Sequence, residues 1–211
     1  MKLYGFPPSP RVWVARAVAA QLGIPLELEL IDLTKGAQYA PDYLAINPTG
    51  RVPTLVDGDL KLWETTAIIQ YLAGQKPTPL WPDDLRIRAD IMRWQSWTLS
   101  HWEAASCVPL VFERLVKQVL GLGPPDEAAV SRALENFKRD AKVLDAHLGR
   151  QRYLVGDALT LADFSVAGPL VYAEPAGMPL TDYPKLADWF GRVTSLPCWK
   201  ETAPQRPAAA A

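Results

Sequence analysis

The stretch Gly74 to Leu85, "GQKPTPLWPDDL", constrains this chain more than any other, because it places Pro77, Pro79 and Pro82 within six residues. Each proline fixes φ and removes a backbone donor, so neither a regular helix nor a central strand can run through the stretch. It reads as a stiff connector, residues 75–85, and the hydrophobic period differs on its two sides.

Before the connector, strand and helix patterns alternate. "KLYGF" is short and apolar, and beyond the prolines that follow it Val12, Ala15, Val18, Ala19 and Leu22 recur at helical spacing. Gly23, with Pro25 two residues on, is a helix stop. "LELELIDL" sets Leu26, Leu28 and Leu30 against Glu27 and Glu29, the alternation of a half-buried strand, so a βαβ unit is complete by Leu33. After a loop carrying Lys35, Gly36 and Gln38, "APDYLAIN" predicts a short helix ended by Asn47 and Pro48. "RVPTLVDGDLKL" holds two β-prone runs about Asp57, Gly58 and Asp59, a hairpin pattern, and from Thr65 onward Ala67, Ile68, Tyr71 and Leu72 return to helical spacing. Residues 1–74 therefore read as a small α/β domain of order βαβαββα.

Beyond the connector the pattern is helical throughout. A Trp-rich stretch runs from about Leu85 to Leu120, "GLGPPD" breaks it, and a helix follows from Glu127 to Leu148 with Leu134, Phe137, Ala141, Leu144 and Leu148 as its inward stripe. Two or three more helices reach Trp199, so residues 86–203 are expected to form an all-helical domain, with 204–211 a flexible tail. Within it, Thr160 followed three residues later by Asp163 is a capping box, and Leu159 is placed to pack back as its staple. These residues carry a structural role.

Charge and cysteine content narrow the function. The 22 basic and 23 acidic residues leave a net charge of -1, so no field of one sign draws in nucleic acid or an anionic membrane. No apolar run approaches the roughly 20 residues of a membrane span, and "MKLYGFPPSP" lacks the apolar segment of a signal peptide. A cytoplasmic location is the expectation. Cys107 and Cys198 stand apart, without CxxC spacing or neighbouring histidines, so neither a disulfide nor a metal site is expected.

Ser9 carries two readings. Serine before Pro10 is a favourable helix start, the serine at the N-cap and the proline at the first helical position. The same hydroxyl would stand at a helix end whose dipole favours a negative charge.

Four stretches, "KLYGFPPSP", "NPTGRVPTLVDGDLKLWETTAI", the proline connector and "YLVGDALTLADFSVA", together resemble the cytosolic glutathione S-transferases, in particular serine-type, phi/theta-like bacterial members. The resemblance covers nearly the whole chain. It implies a thioredoxin-like first domain, an all-helical second one, a homodimer, glutathione as co-substrate and a small hydrophobic electrophile as its partner. It also implies a cis Val52-Pro53 bond, with the Val52 backbone open to pair with the glutathione cysteinyl backbone as an added strand. Glu64 and Thr65, at a helix start, are placed for the γ-glutamyl end, the acid for the ammonium and the hydroxyl for the carboxylate. Lys35 and Gln38 stand where the glycyl carboxylate finds donors, although a solvated lysine is the plain alternative, and Arg51 stands where relatives touch the ligand.

By the same resemblance Ser9 points its hydroxyl at the glutathione sulfur. Lowering a thiol pKa from about 8.5 to about 6.5 takes roughly 2.7 kcal/mol. One or two hydrogen bonds to the thiolate, at about 1.5–3 kcal/mol each, supply that. Arg11 stands where relatives often carry asparagine, and either adds positive potential or faces water; Tyr4 reads as core. The electrophile is expected between the domains, against Phe6 and Pro8 on one side and Trp97 and His101 on the other. There Trp94, Trp97 and His101 are spaced to share one helix face, as core, dimer interface or pocket wall. Two other readings stay open: isomerisation, dehalogenation or peroxide reduction on the same fold, and a ligand-binding protein without catalysis.

Overall fold

A computed structural model describes residues 1–204; the expected tail, from residue 205 on, lies outside the described residues. The chain forms two compact units, Met1–Lys76 joined by the segment from Ser195, and Pro77–Thr194.

In the first unit, strand β1 (Lys2–Gly5) leads into helix α1 (Pro10–Leu22), which ends at Gly23 with φ 65, a left-handed value that glycine adopts without strain. Strand β2 (Glu27–Leu30) then lies parallel to β1, as a crossover through a helix requires. Two 3₁₀ turns, Leu33–Lys35 and Ala37–Tyr39, precede the short helix α2 (Pro41–Leu44), the hairpin β3 (Thr54–Asp57) and β4 (Leu60–Trp63), and helix α3 (Thr65–Gly74). The sheet order is β2-β1-β3-β4, with both pairings of β3 antiparallel. Leu3 pairs with Leu28 on one side and Leu55 on the other, and Leu3 and Leu55 are fully buried at the sheet centre.

Strand β2 departs from the alternation read in the sequence. It is an edge strand with one neighbour, and Leu30 at its end stands 58% exposed. A larger difference concerns the last helix, α10 (Pro197–Thr202), which the sequence assigns to the helical domain but which packs on α1. The Trp13 and Trp199 rings lie 5.4 Å apart, the Trp13 indole N–H donates to the Trp199 carbonyl at 3.0 Å, and Arg16 donates to the Thr202 carbonyl. Such pairing is invisible to local periodicity, since 186 residues separate the partners.

The second unit begins inside the connector, whose Leu80 is buried and accepts a hydrogen bond from the Leu161 N–H. Helix α4 (Leu85–Trp97) starts at Asp84, whose carboxylate accepts from the Arg86 and Ile87 N–H groups. It continues as a π-helix over Thr98–Cys107, then as α5 (Val108–Val111), a second π segment over Phe112–Val116, and α6 (Lys117–Leu120). Helix α7 (Glu127–Leu148) matches its expected limits, with Asp126 capping the Ala128 and Ala129 N–H groups. Its buried stripe is Val130, Ala133, Phe137, Asp140, Ala141, Leu144 and Leu148; Leu134 is only half-buried. Asp140 is tolerated there because the Ser106 hydroxyl and the Arg139 guanidinium both donate to it.

Helices α8 (Leu161–Ala167) and α9 (Pro184–Thr194) complete the unit. Thr160 and Asp163 form the expected capping box at α8. Asp163 does more, since its fully buried carboxylate also accepts from the Leu154 N–H at 3.0 Å and the Trp189 indole at 2.9 Å. It ties the loop before α8 to α9.

Candidate active site

Ser9 follows a turn in which its N–H donates to the Phe6 carbonyl at 2.8 Å across Pro7 and Pro8. Its carbonyl accepts the Trp13 N–H at 3.0 Å, the first bond of α1, so its backbone is fully used. The side chain is not: Ser9 occupies the N-cap position of α1 but its hydroxyl forms no cap hydrogen bond. The capping function expected of it is therefore absent, and the half-buried hydroxyl stands beside a helix N-terminus.

Arg11, two residues further, places a guanidinium nitrogen 3.4 Å from Glu64, and the Thr65 hydroxyl donates over a long 3.4 Å to the Arg11 carbonyl. The starts of α1 and α3 thus adjoin. Arg11, for which added positive potential and a solvent-facing position are the two readings, is half-buried and has its charge offset by Glu64. Glu64 has φ 72 and ψ 120, the one positive φ outside glycine among the described residues. Such a conformation costs about 1–3 kcal/mol and is held here by the β4–α3 corner. No sequence signal announces it.

The Val52-Pro53 bond is cis, as the resemblance implies. Val52 is half-buried, Pro53 is buried, and no hydrogen bond engages the Val52 N–H or C=O among the described residues. The preceding carbonyl, that of Arg51, is held from below by Tyr43 and by Asn47 at 2.8 Å. Sequence reasoning missed this support, taking Asn47 only as a helix stop.

On the far side, the Lys35 side chain is 82% exposed and 3.5 Å from Asp32. The Asp32 carboxyl is held below its usual range, chiefly by the Thr34 hydroxyl. Gln38 lies in the adjoining turn, and its side-chain oxygen is buried without a hydrogen-bond partner. Phe6 is half-buried and Pro8 exposed.

In the second unit Trp94 and Trp97 meet as their spacing predicts, with rings 5.6 Å apart and edge-on, but exposed His101 lies past the change of helix geometry. The helix switches to π geometry after Trp97, so residues five apart come into register, and Trp97 stacks on Trp102 at 5.9 Å with planes 13° apart. In an α-helix the same two residues would be about 140° apart. Trp94 is buried and donates to the Leu154 carbonyl, Trp97 is half-buried, and His101 is exposed. Among the described residues no group of three or more His, Cys, Asp and Glu side chains could hold a metal ion.

A sheet of this order with a cis-proline ahead of β3, followed by a helical unit, defines a two-domain protein of thioredoxin-like type. The sequence matches the family model for the glutathione S-transferase N-terminal domain over residues 1–74 and that for the C-terminal domain over residues 127–192. The chain is 36% identical to glutathione S-transferase 3 of Zea mays over 209 residues, covering 96% of this chain and 92% of the maize protein. It is 33% identical to glutathione S-transferase theta-2B of Homo sapiens, covering 88% and 76%. Among solved structures, glutathione S-transferase-I bound with lactoylglutathione superposes with a TM-score of 0.87 at 30% identity, covering 96% and 97%. The chain belongs to the glutathione S-transferase family.

Proposed function

We propose that this chain conjugates the glutathione thiolate to small hydrophobic electrophiles, with Ser9 donating a hydrogen bond to the sulfur. The observation that carries the reading is the Ser9 hydroxyl, which sits at the start of α1 with no cap bond to make. Val52 would pair with the cysteinyl backbone, and Glu64 and Thr65 would take the γ-glutamyl end at the start of α3, where first-turn N–H groups favour a carboxylate. Gln38, Arg51 and Lys35 would serve the glycyl carboxylate. Of these, Gln38 would reach a carboxylate only through its amide N–H groups; its buried side-chain oxygen, an acceptor without a partner, would need an N–H of the ligand instead. Phe6, Pro8, Trp97 and His101 are the proposed electrophile contacts. The lactoylglutathione-bound neighbour is consistent with this choice of co-substrate. A homodimer in the cytoplasm, serving detoxification, accompanies the reading; light scattering tests the dimer.

The decisive experiment titrates the protein with glutathione and follows thiolate absorbance against pH. Wild type should show thiolate well below pH 8, about where free glutathione begins to ionise. Ser9→Ala should lose most of that signal and roughly ten- to a hundredfold in kcat/KM, the worth of one hydrogen bond to a charged group. A Ser9→Ala variant with the wild-type rate and ionisation would remove Ser9 from the mechanism.

A further inference from the structure

Beneath the Arg51–Pro53 loop lies a ring of hydrogen bonds among Tyr43, Asn47, Thr54 and the Arg51 carbonyl, and its protons can be assigned one by one. The Thr49 N–H, which can only donate, points at the Asn47 side-chain oxygen at 3.0 Å, and the Thr49 hydroxyl donates to the same oxygen. That fixes the Asn47 amide with its nitrogen on the other side, where its two hydrogens go to the Arg51 carbonyl at 2.8 Å and the Thr54 hydroxyl oxygen at 2.9 Å. The Tyr43 hydroxyl donates its one proton to the Arg51 carbonyl, so the 2.9 Å bond between Tyr43 and Thr54 must be donated by Thr54. Every donor is then used once, and both lone pairs of the Arg51 carbonyl are occupied. Tyr43, Asn47 and Thr54 are all buried, and burial pushes the Tyr43 phenol up, so it stays a donor.

The ring has a directional consequence. In the trans peptide joining Arg51 to Val52, the carbonyl and the N–H point to opposite sides. With the carbonyl held by two donors from below, the Val52 N–H is aimed away from the core. Pro53 has no N–H, so Val52 supplies the last backbone donor before β3. Gly50, at φ 61, makes the preceding link permissive, so the loop itself does not enforce this orientation.

We propose that Tyr43 is a positioning residue that, through Asn47 and Thr54, locks the Arg51–Val52 peptide so that Val52 presents its N–H to the main chain of the bound tripeptide. The proposal rests on the reading of this site as a glutathione site. It assigns part of the ligand affinity to a phenol that never touches the ligand, by removing the cost of ordering the peptide at binding.

Calorimetry with glutathione and steady-state kinetics on the full chain test it with two variants. Tyr43→Phe keeps the buried ring and deletes one of the two donors to Arg51. Thr54→Val keeps the strand and deletes the hydroxyl that orients Tyr43. Both should raise the glutathione Kd and KM by about three- to tenfold, the worth of one neutral hydrogen bond, while kcat at saturating glutathione changes by less than about twofold. In wild type, the Val52 amide should gain exchange protection when glutathione is added, and in Tyr43→Phe that gain should shrink. A glutathione affinity in Tyr43→Phe equal to wild type overturns the proposal and leaves the site reading intact. So does an unprotected Val52 amide in the wild-type complex, a measurement that needs no variant to fold. A fall of kcat in step with a rise in KM would show general loosening instead of lost positioning, and also overturns it. Wild type that takes up no glutathione refutes the site reading itself, and this inference with it.

Discussion

Replacing Asp163 should separate a carboxylate that merely caps α8 from one that holds the second unit together. Its Oδ1 accepts the Leu154 N–H and the Trp189 indole N–H, and its Oδ2 accepts the Thr160 N–H at 2.9 Å and the Thr160 hydroxyl at 3.2 Å. Asp163→Ala strands three buried N–H groups, while the hydroxyl can turn to another acceptor. At about 1–3 kcal/mol for each unmet donor the gross loss is about 3–9 kcal/mol. Part of it returns, because burial raises the Asp163 carboxyl above its ordinary value even against these bonds, so the charge itself is held at a cost. A net loss of about 3–6 kcal/mol results, a large share of the roughly 5–15 kcal/mol typical of a domain. A simple cap would cost about 1 kcal/mol. Asp163→Asn keeps an oxygen for Leu154 and Trp189 and offers Thr160 an amide nitrogen that its hydroxyl accepts but its N–H does not, so one donor is stranded, for about 1–3 kcal/mol. Urea unfolding followed by circular dichroism, with the slope checked for constancy, should rank wild type above Asn above Ala in the transition of the second unit. An Ala variant within about 1 kcal/mol of wild type, or an Asn variant no better than Ala, would refute this division of the bonds.

Two further outcomes follow from the backbone and from charge. Glu64→Gly removes the strain at φ 72, worth about 1–3 kcal/mol, and adds about 0.5–1 kcal/mol of chain entropy to the unfolded state, so the melting temperature should rise by about 2–4 °C while glutathione affinity falls at least tenfold; a lower melting temperature would contradict it. Glu113 and Asp126 are both held below their ordinary carboxyl values, Glu113 first by Lys117 and Asp126 first by the Ala129 N–H. Depressed carboxyls contribute stability that is complete above the unfolded values of 4.5 and 3.8 and is lost as pH falls through the folded ones. Amide protection at Ala128 and Ala129, the N–H groups that Asp126 caps, should therefore be flat from about pH 8 to 5 and fall below about pH 4; constant protection into that acid range would count against the cap.

What the sequence discloses depends on how local the cause is. Helix α7 is legible to the residue because Asp126 caps it and "GLGPPD" cannot continue a helix. The α1 start and stop, the hairpin about Gly58 and the capping box at Thr160 are legible for the same reason: each is decided within four or five residues. The π segments are not, since a spacing of three and four from Trp94 through Trp97 to His101 fits an ordinary helix, and only burial of Trp102 against Phe137, from α7, reveals the changed pitch. At the candidate site the cis Val52-Pro53 bond is legible through family resemblance, and the roles of Ser9, Glu64 and Thr65 are proposals on that same resemblance. The Arg11–Glu64 pair and the Tyr43 ring join residues from separate elements, and no pattern within one element predicts them.

The placement of α10 on α1 also bears on how the chain is made. A ribosome releases residues 1–76 with every strand and helix of the first unit except the one that covers Trp13. That face of α1 waits through the synthesis of the entire second unit before Trp199 emerges to close it. For this interval the nascent protein carries an apolar surface for chaperones to hold, and a message truncated just ahead of the Pro197 codon would yield the second unit complete and the first unsealed.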